Sequence, residues 1–284
     1  MLRLKKLRGI LWFVLSLLIC QICDVAMKYL SASIHPTQIT FLRFAIATTW
    51  LIPAMIFSGK KTFSTAIPWV HCCRGGLLFL AMALWCVGLR KSTLPLASVL
   101  GFSIPLFLLI LAKIFLHERI SAGRWLATTI GFFGIIIAIE PRCGHFHSSA
   151  IPLIFSAILF ASIDILNKKF ARRESLLATL FYTALATAAF SAIPAFFHWH
   201  PMAMSDWLLA VALGVCANLL YFCIIRSLRL IDVSVTAPYR YVEFIFSNFT
   251  GYFIFKEIPS PLVFIGVAAI IPSTLYIAYR DAQR

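Results

Sequence analysis

Ten apolar runs dominate the sequence and limit what the chain can fold into. They span 9–27, 38–57, 68–89, 94–115, 123–139, 150–167, 175–197, 207–226, 233–255 and 261–279. Runs of about 18 to 23 residues are long enough for a helix to cross a hydrocarbon core of ~30 Å. Because 61% of the 284 residues are hydrophobic, too little polar surface is left for a soluble protein. The pattern predicts an all-α integral membrane protein with ten transmembrane helices.

The basic residues indicate how the helices are oriented. The net charge is +15, from 25 Lys and Arg against 10 Asp and Glu. These residues cluster between the apolar runs, so we expect a topology signal and no nucleic-acid partner. With the N-terminus inside, sixteen basic residues fall on cytoplasmic segments and five on outer ones. The positive-inside rule therefore predicts that both termini are cytoplasmic, with Arg90 and Lys91 as a local exception.

Similar short motifs recur in the two halves of the chain. The first run ends in "DVAMKYL" and the sixth in "DILNKKF", so Asp164 follows Asp24 by 140 residues, each with a lysine four positions later. "LHERIS" and "FKEIPS" also correspond, with Glu257 following Glu118 by 139 residues. Similar elements at a nearly constant spacing indicate an internal duplication.

The duplication predicts two five-helix repeats, 1–144 and 145–284, joined at the polar segment "EPRCGHFHSS". Because five is odd, the second repeat must enter the membrane with the opposite orientation. Inverted repeats of this kind are typical of secondary transporters, which bind substrate between the repeats near the middle of the bilayer.

Longer segments carry a resemblance to a known family. They are "FLRFA" around Arg43, "STLPLASVLGFSIPLF", "HERISAGRWLATTIGFFGIIIAIEPRCG" and "SVTAPYRYVEFIFSNFTGYFIFKEIPSPLVFIGVAAI". Together with the repeated D…K motif, they resemble the EamA-type, ten-helix carriers of the drug/metabolite transporter superfamily over essentially the whole chain. The resemblance implies a carrier of the bacterial inner membrane that works by alternating access. Its members move amino acids, nucleotide-like metabolites, vitamins or drugs, and the carriers of S-adenosylmethionine and of riboflavin are the most similar in character.

Three acidic residues fall inside the predicted spans or at their edges: Asp24, Asp164 and Glu243. Ionisable groups within a membrane are costly and are functional-site candidates by default. Asp24 and Asp164 have two interpretations. Each could pair with the lysine four residues on, Lys28 or Lys168, or the two could act as gating or coupling residues at opposite mouths of one pathway.

Glu243 lies in "PYRYVEFIFSNF", where we place it about halfway along the ninth helix. Arg240 is three residues earlier, so the two side chains share a helix face. They could form a structural ion pair, or both could bind substrate. In the second case Arg240 would hold a carboxylate or phosphate through paired hydrogen bonds, and Glu243 an ammonium group or a coupling proton. Pro238 lacks an N–H and is expected to kink the start of this helix.

Aromatic and amide side chains inside the spans complete the predicted substrate site. Trp85, Tyr221 and Tyr239 could stack on a flat ring or a cation, and Asn218 lies one turn before Tyr221. For Arg43 the resemblance implies an architectural or gating role, with a backbone carbonyl or Asp24 as its partner.

These features favour a secondary transporter of a small organic metabolite, with an S-adenosylmethionine-like or amino-acid-like zwitterion as the expected substrate. An exporter of drugs or amino acids and a riboflavin importer are alternatives, and the direction of transport stays open. A membrane-embedded lipid-modifying enzyme is an alternative of another class. It is disfavoured because the sequence has no H-x4-D, D-D-x-x-D or H-E-x-x-H motif. We expect no cofactor and no metal, since "CGHFH" and "HWH" read as polar loops, and a monomer or weak homodimer.

Overall fold

The computed structural model describes residues 2–59, 63–117, 122–138, 150–170, 173–231, 236, 239, 241–258, 261–265, 267–268 and 271–272. Its helices are α1 Leu2–Leu30, α2 Pro36–Phe57, α3 Pro68–Lys91, α4 Leu94–Gly101, α5 Ser103–Phe115, α6 Ala122–Ala138, α7 Ala150–Phe170, α8 Leu176–Phe197, α9 Met204–Leu230 and α10 Tyr241–Phe255. Residues 261–265, 267–268 and 271–272 are also helical. Long regular elements in these ranges are all helices, as predicted.

The helix starts follow from local sequence. Proline occupies the first helical position of α2 and α3, where its missing N–H breaks no helix hydrogen bond. Ser175 caps α8 by accepting from the Ala178 N–H at 3.0 Å, and Thr93 caps α4 by accepting from the Leu96 N–H at 3.4 Å. Such caps satisfy backbone donors that the first turn leaves without partners.

Within the described ranges, seven helical segments are long and apolar enough to cross a membrane, counting α4 with α5 as one. Large apolar side chains on the outside of the bundle stay exposed, among them Trp50, Phe57, Ile193 and Phe196. Such a surface suits lipid rather than water, so the chain is an all-helical, multi-pass membrane protein. Helices α6 and α10 are shorter, with 17 and 15 residues.

Two predicted spans differ from the structure. The fourth is broken at Phe102, between α4 and α5, because Pro105 has no N–H to give to the carbonyl of Gly101. The ninth, predicted as 233–255, contains a helix that begins only at Tyr241. Glu243 therefore lies in the first turn of α10, and the prediction that it is halfway along a helix is wrong.

Helix packing repeats between the two halves. Helix α1 packs on α9 as α7 packs on α3, and α2 packs on α9 as α8 packs on α3. Helices α2 and α8 pack against each other.

Two glycines sit at equivalent crossings in this arrangement. A Cβ atom at Gly75 of α3 would lie 2.4 Å from the Cβ of Ala186 in α8, and one at Gly214 of α9 would lie 2.6 Å from Cγ2 of Ile46 in α2. The glycines are 139 residues apart and their partners 140. Small residues let membrane helices approach closely, and here the same device occurs once in each half.

Candidate functional site

A cavity of about 100 Å³ lies between α1, α2, α3, α4, α5, α7, α9 and α10. Its charged lining residues are Asp24, Arg43, Asp164 and Glu243, which come from four different helices. Much of the remaining wall is apolar or aromatic: Phe13, Leu17, Met82, Trp85, Ile104, Phe160, Leu220 and Ile224. The structure thus brings the three predicted intramembrane acids, Arg43 and Trp85 around one space.

Asp24 is held by Trp85. The indole Nε1 donates to Asp24 Oδ1 at 2.9 Å, and both side chains are buried. The indole has room because its neighbour in α4 is Gly101, where a Cβ atom would approach the ring to 3.3 Å. Phe160 packs edge-on against the same indole, with ring centroids 6.1 Å apart. Trp85 therefore fixes the Asp24 carboxylate at the cavity wall.

Lys28 does not take the role of Asp24's partner that its spacing suggested. It forms an ion pair with Glu257 and donates to the Ser92 carbonyl at 2.5 Å. The other oxygen of Glu257 accepts from the Leu94 N–H at 2.8 Å, at the start of α4. Of the two interpretations of Asp24, the pair with Lys28 is therefore wrong, because the long lysine side chain reaches a carboxylate that is distant in sequence.

Arg43 is almost completely buried, yet its described partners are weak acceptors. Its Nη1 lies 3.1 Å from the sulfur of Met27 and 3.5 Å from that of Met82. Its Nε is buried with no hydrogen-bond partner among the described residues. Among the described residues, neither a backbone carbonyl nor the Asp24 carboxylate, the two expected partners, accepts a hydrogen bond from Arg43. Thioethers are weak acceptors, so the guanidinium retains capacity for an anion.

Glu243 and Cys20 join Asp24 at one side of the cavity. Their ligand atoms all lie within 4.8 Å of one another. Glu243 is 8% exposed and sits in the first turn of α10, where the helix dipole favours a carboxylate. A thiol with two carboxylates could hold a metal ion or a cationic group of an organic ligand. Arg240, the predicted partner of Glu243, lies outside the described residues.

Three other predicted binding residues are not among those that line the cavity. The Asn218 amide donates to the Ala47 carbonyl at 2.8 Å, and the Tyr221 hydroxyl donates to Asn167 Oδ1 at 2.8 Å. Tyr239 is half-buried in the short turn before α10. The structure gives Asn218 and Tyr221 helix-to-helix contacts and brings none of the three into the cavity lining.

Only one of the two histidine-containing loops predicted from the sequence falls within the described residues. His198 of "HWH" stacks on His35 with ring centroids 4.3 Å apart, whereas "CGHFH" lies outside the described residues. Burial, followed by the neighbouring His198, His200 and Arg90, lowers the pKa of His35.

At the other end of the bundle, Glu174 ties the connection between α7 and α8 to the start of α3. It accepts from the Thr65 hydroxyl, from the Ala66 N–H at 2.7 Å and is 3.2 Å from His71 Nε2. Burial raises the pKa of Glu174, but the hydrogen bonds from Thr65, His71 and Ala66 outweigh burial, so the net pKa is lowered. The carboxylate stays ionised at neutral pH.

The sequence analysis did not single out two residues, Cys20 in the cavity lining and Arg74 near the start of α3. Cys20 precedes Asp24 by four positions on α1, a helical spacing that puts both on one face. Arg74 lies inside the third apolar run and is 1% exposed. The signal for Arg74 was the same as for Asp24, an ionisable residue within a predicted span.

Comparisons with known proteins agree with this architecture. The family model described as "EamA-like transporter family" matches residues 7–139 and again residues 147–279. The S-adenosylmethionine uptake transporter of Rickettsia bellii is 40% identical over 275 residues, covering 97% of this chain and 94% of that protein. The riboflavin transporter of Vibrio cholerae is 24% identical, covering 98% and 95%. A protein of known crystal structure superposes with a TM-score of 0.67 at 20% identity, covering 98% of this chain and 97% of that one. The chain belongs to the EamA-like transporter family.

Proposed function

We propose that the chain is a secondary transporter that takes up S-adenosylmethionine, or a closely similar cationic zwitterion, across the inner membrane. The observation that carries the proposal is the cavity in which Asp24, Asp164 and Glu243 face the same space as Arg43. The name of the Rickettsia bellii relative, at 40% identity, points to the same substrate.

The charges of the cavity match those of this molecule. S-adenosylmethionine carries one carboxylate and two positive centres, an ammonium and a sulfonium. Among the described lining residues there are three acids and one arginine. Buried charges are costly unless they are paired, so a ligand with two positive centres and one negative centre compensates the site. A neutral ligand such as riboflavin would bring no opposite charge to Asp24 or Arg43, and sites built for a polar partner discriminate strongly against molecules that lack it.

Each group of the ligand has a plausible position. Arg43 would exchange its two thioether contacts for paired, charge-assisted hydrogen bonds to the carboxylate, which are shorter and stronger. Asp24 and Glu243 would face the positive centres. The Trp85 indole offers an aromatic surface for the adenine ring, in the manner of base stacking on aromatic side chains. A cavity of about 100 Å³ is smaller than the ~300–1,000 Å³ of typical ligand sites, so helices must separate for the ligand to enter.

The proposal includes the topology: ten spans in two inverted repeats, 1–144 and 145–284, with both termini cytoplasmic. It is supported by the equivalent packing of α1–α9 and α7–α3, by the paired glycine crossings and by the two successive matches of one family model. Movement of one repeat relative to the other would alternate access to the central cavity. An epitope after Gly144 should then be accessible from outside and one after Arg172 only from inside. Accessibility from the same side would contradict the ten-span arrangement.

The substrate is tested by uptake of labelled S-adenosylmethionine into proteoliposomes that contain the purified chain. Unlabelled S-adenosylmethionine should compete fully, S-adenosylhomocysteine weakly because it lacks the sulfonium charge, and riboflavin not at all. Glu243→Gln should abolish uptake while the folded yield stays near that of the wild type. Competition by riboflavin without uptake of S-adenosylmethionine would favour the vitamin importer instead.

A further inference from the structure

A second buried polar cluster lies at the opposite end of the bundle from Asp24. We call Arg74, Asn167, Thr183 and Tyr221 the inner cluster. Arg74 is six residues from the start of α3, about 9 Å along the helix, and Asn167 is three residues from the end of α7. The two positions are neighbours, because Arg74 Nη2 donates to the Leu166 carbonyl at 3.2 Å. The Tyr221 hydroxyl joins them through Asn167, and Thr183 lies beside Tyr221.

The inner cluster holds several hydrogen-bond donors without acceptors. Arg74 Nε and Nη1 and the amide Nδ2 of Asn167 are buried and make no hydrogen bond among the described residues. Both side chains are 2% exposed or less. Leaving a buried donor unsatisfied costs free energy, so the two unbonded nitrogens of this enclosed guanidinium point to a ligand that accepts from them. The unpartnered groups are all donors, and the guanidinium carries a positive charge, which is the chemistry that binds a carboxylate.

The neighbouring acid does not take this role. Glu174 acts electrostatically on Arg74, but its carboxylate is bound by Thr65, Ala66 and His71. Among the described residues, Arg74 makes no ion pair. The Tyr221 hydroxyl is also occupied, since it donates to Asn167.

Helix α7 connects the inner cluster to the central cavity. Asp164 lines the cavity, and Asn167 follows it by three residues, so the two side chains lie on one face of the helix. The repeat shows that Arg74 is not a copy of Arg43. The position equivalent to Arg43 is Thr183, and the position equivalent to Arg74 is Leu213. Arg43 on α2 therefore lines the cavity, and Arg74 is a separate arginine near the start of α3.

We propose that Arg74, with Asn167, forms an inner carboxylate subsite that receives the carboxylate of the substrate after it leaves Arg43 on the way to the cytoplasm. The inference rests on the proposed function for the identity of the substrate. Arg43 and Arg74 then act in sequence: the cavity binds the zwitterion, and the inner subsite lowers the barrier for moving its negative group through an apolar helix bundle. A second arginine is needed because Arg43 is anchored in α2 and cannot follow the ligand.

The experiment measures exchange of S-adenosylmethionine from each face, using right-side-out and inverted membrane vesicles. In Arg74→Gln, the half-saturating concentration at the cytoplasmic face should rise about 10-fold or more, the range expected when a hydrogen bond to a charged group is lost. At the outer face it should change less than about 3-fold. Decarboxylated S-adenosylmethionine, which lacks the carboxylate, should show the same half-saturation in wild type and variant. The matched control is Arg226→Gln, which removes an exposed arginine near the end of α9. Its half-saturating concentrations should equal those of the wild type.

A structural role for Arg74 predicts different results. Equal changes at both faces, or an equal change for the decarboxylated analogue, would overturn the subsite. Thermal stability of each purified variant is measured in parallel. If Arg74→Gln does not fold, Asn167→Ala and Arg74→Lys replace it, and the same asymmetry between faces is expected, weaker for the lysine variant because it keeps the charge. Failure of the wild type to exchange S-adenosylmethionine would refute the proposed function itself, whereas wild-type exchange with a symmetric Arg74→Gln refutes only the inner subsite.

Discussion

The indole nitrogen of Trp85 donates to a carboxylate oxygen of Asp24 at 2.9 Å across the wall of the central cavity. This contact joins α3 to α1 and uses one acceptor of a group that has several. A carboxylate can accept about four hydrogen bonds, so Asp24 can hold Trp85 and still accept from an ammonium group. The contact therefore orients the Asp24 carboxylate and leaves it able to accept further hydrogen bonds.

Replacing Trp85 by phenylalanine tests this orientation. Trp85→Phe keeps an aromatic ring and removes the N–H that binds Asp24. Because hydrogen bonds to charged groups contribute about 1.5–3 kcal/mol, the Kd for S-adenosylmethionine should rise about 10-fold or more. Calorimetric titration of the purified protein provides the measurement. Trp69→Phe, at an exposed tryptophan in the first turn of the same helix, should bind like wild type, and an unchanged Kd in Trp85→Phe would mean that the indole only packs.

Removing the charge of Asp24 separates binding from folding. Asp24→Asn retains the size of the side chain and can still accept from Trp85. Uptake should fall more than about 10-fold because a positive centre of the substrate loses its partner. The melting temperature should stay equal or rise, since a costly buried charge is removed while the hydrogen bond from Trp85 is kept. Asp206→Asn, in the first turn of α9, serves as the control for uptake. A lower melting temperature with normal residual uptake would place Asp24 among the structural residues.

Sequence reasoning located much of the cavity because intramembrane charge is rare and costly. Asp24, Asp164 and Glu243 were found by this rule alone, and all three face one space. Partners were harder to predict. Lys28 lies one turn from Asp24 but pairs with Glu257, 229 residues away, and such a choice depends on helix packing that local spacing does not encode. The same limit explains why Asn218 was predicted to bind substrate. Its amide instead donates to the Ala47 carbonyl of another helix.

The glycine crossings predict a sharp difference between adjacent positions. Gly75→Ala would place its Cβ 2.4 Å from the Cβ of Ala186, whereas the nearest atom to a Cβ at Gly76 is 3.6 Å away, on the Phe190 ring. Overpacking of this kind costs about 1–3 kcal/mol, so Gly75→Ala should lower the melting temperature measured in detergent. Gly76→Ala should leave it equal or slightly raised, because alanine favours a helix over glycine. Equal effects at the two positions would contradict the close approach of α3 and α8.

The lowered pKa of Glu174 predicts an acid-side loss of stability. A carboxyl group whose folded-state pKa lies below its unfolded value stabilises the fold at pH above the unfolded pKa, and this contribution is lost as the pH falls through the folded pKa. Wild type should therefore keep its stability relative to Glu174→Gln between pH 7 and about 4.3, the ordinary pKa of glutamate, and lose it as the pH falls further. Melting temperatures of both proteins over this pH range provide the test. Parallel curves would mean that Thr65, Ala66 and His71 stabilise the connection equally well with an amide.

The ion pair between Lys28 and Glu257 predicts which part of the bundle restrains access to the cavity. The pair connects α1 to the start of α4 through Ser92 and Leu94, and Cys20 lies two turns deeper on α1, in the cavity lining. Lys28→Met should loosen this end of the bundle. In a background where Cys20 is the single remaining cysteine, a membrane-impermeant thiol reagent applied from outside should then label it several-fold faster than in the Lys28 protein.

Lys91→Met removes an exposed lysine from the end of α3 and should leave the rate of Cys20 labelling unchanged. Glu257→Gln should reproduce the faster labelling, because either change breaks the same pair; equal rates in all four proteins would show that the cavity is closed at this end by apolar packing alone.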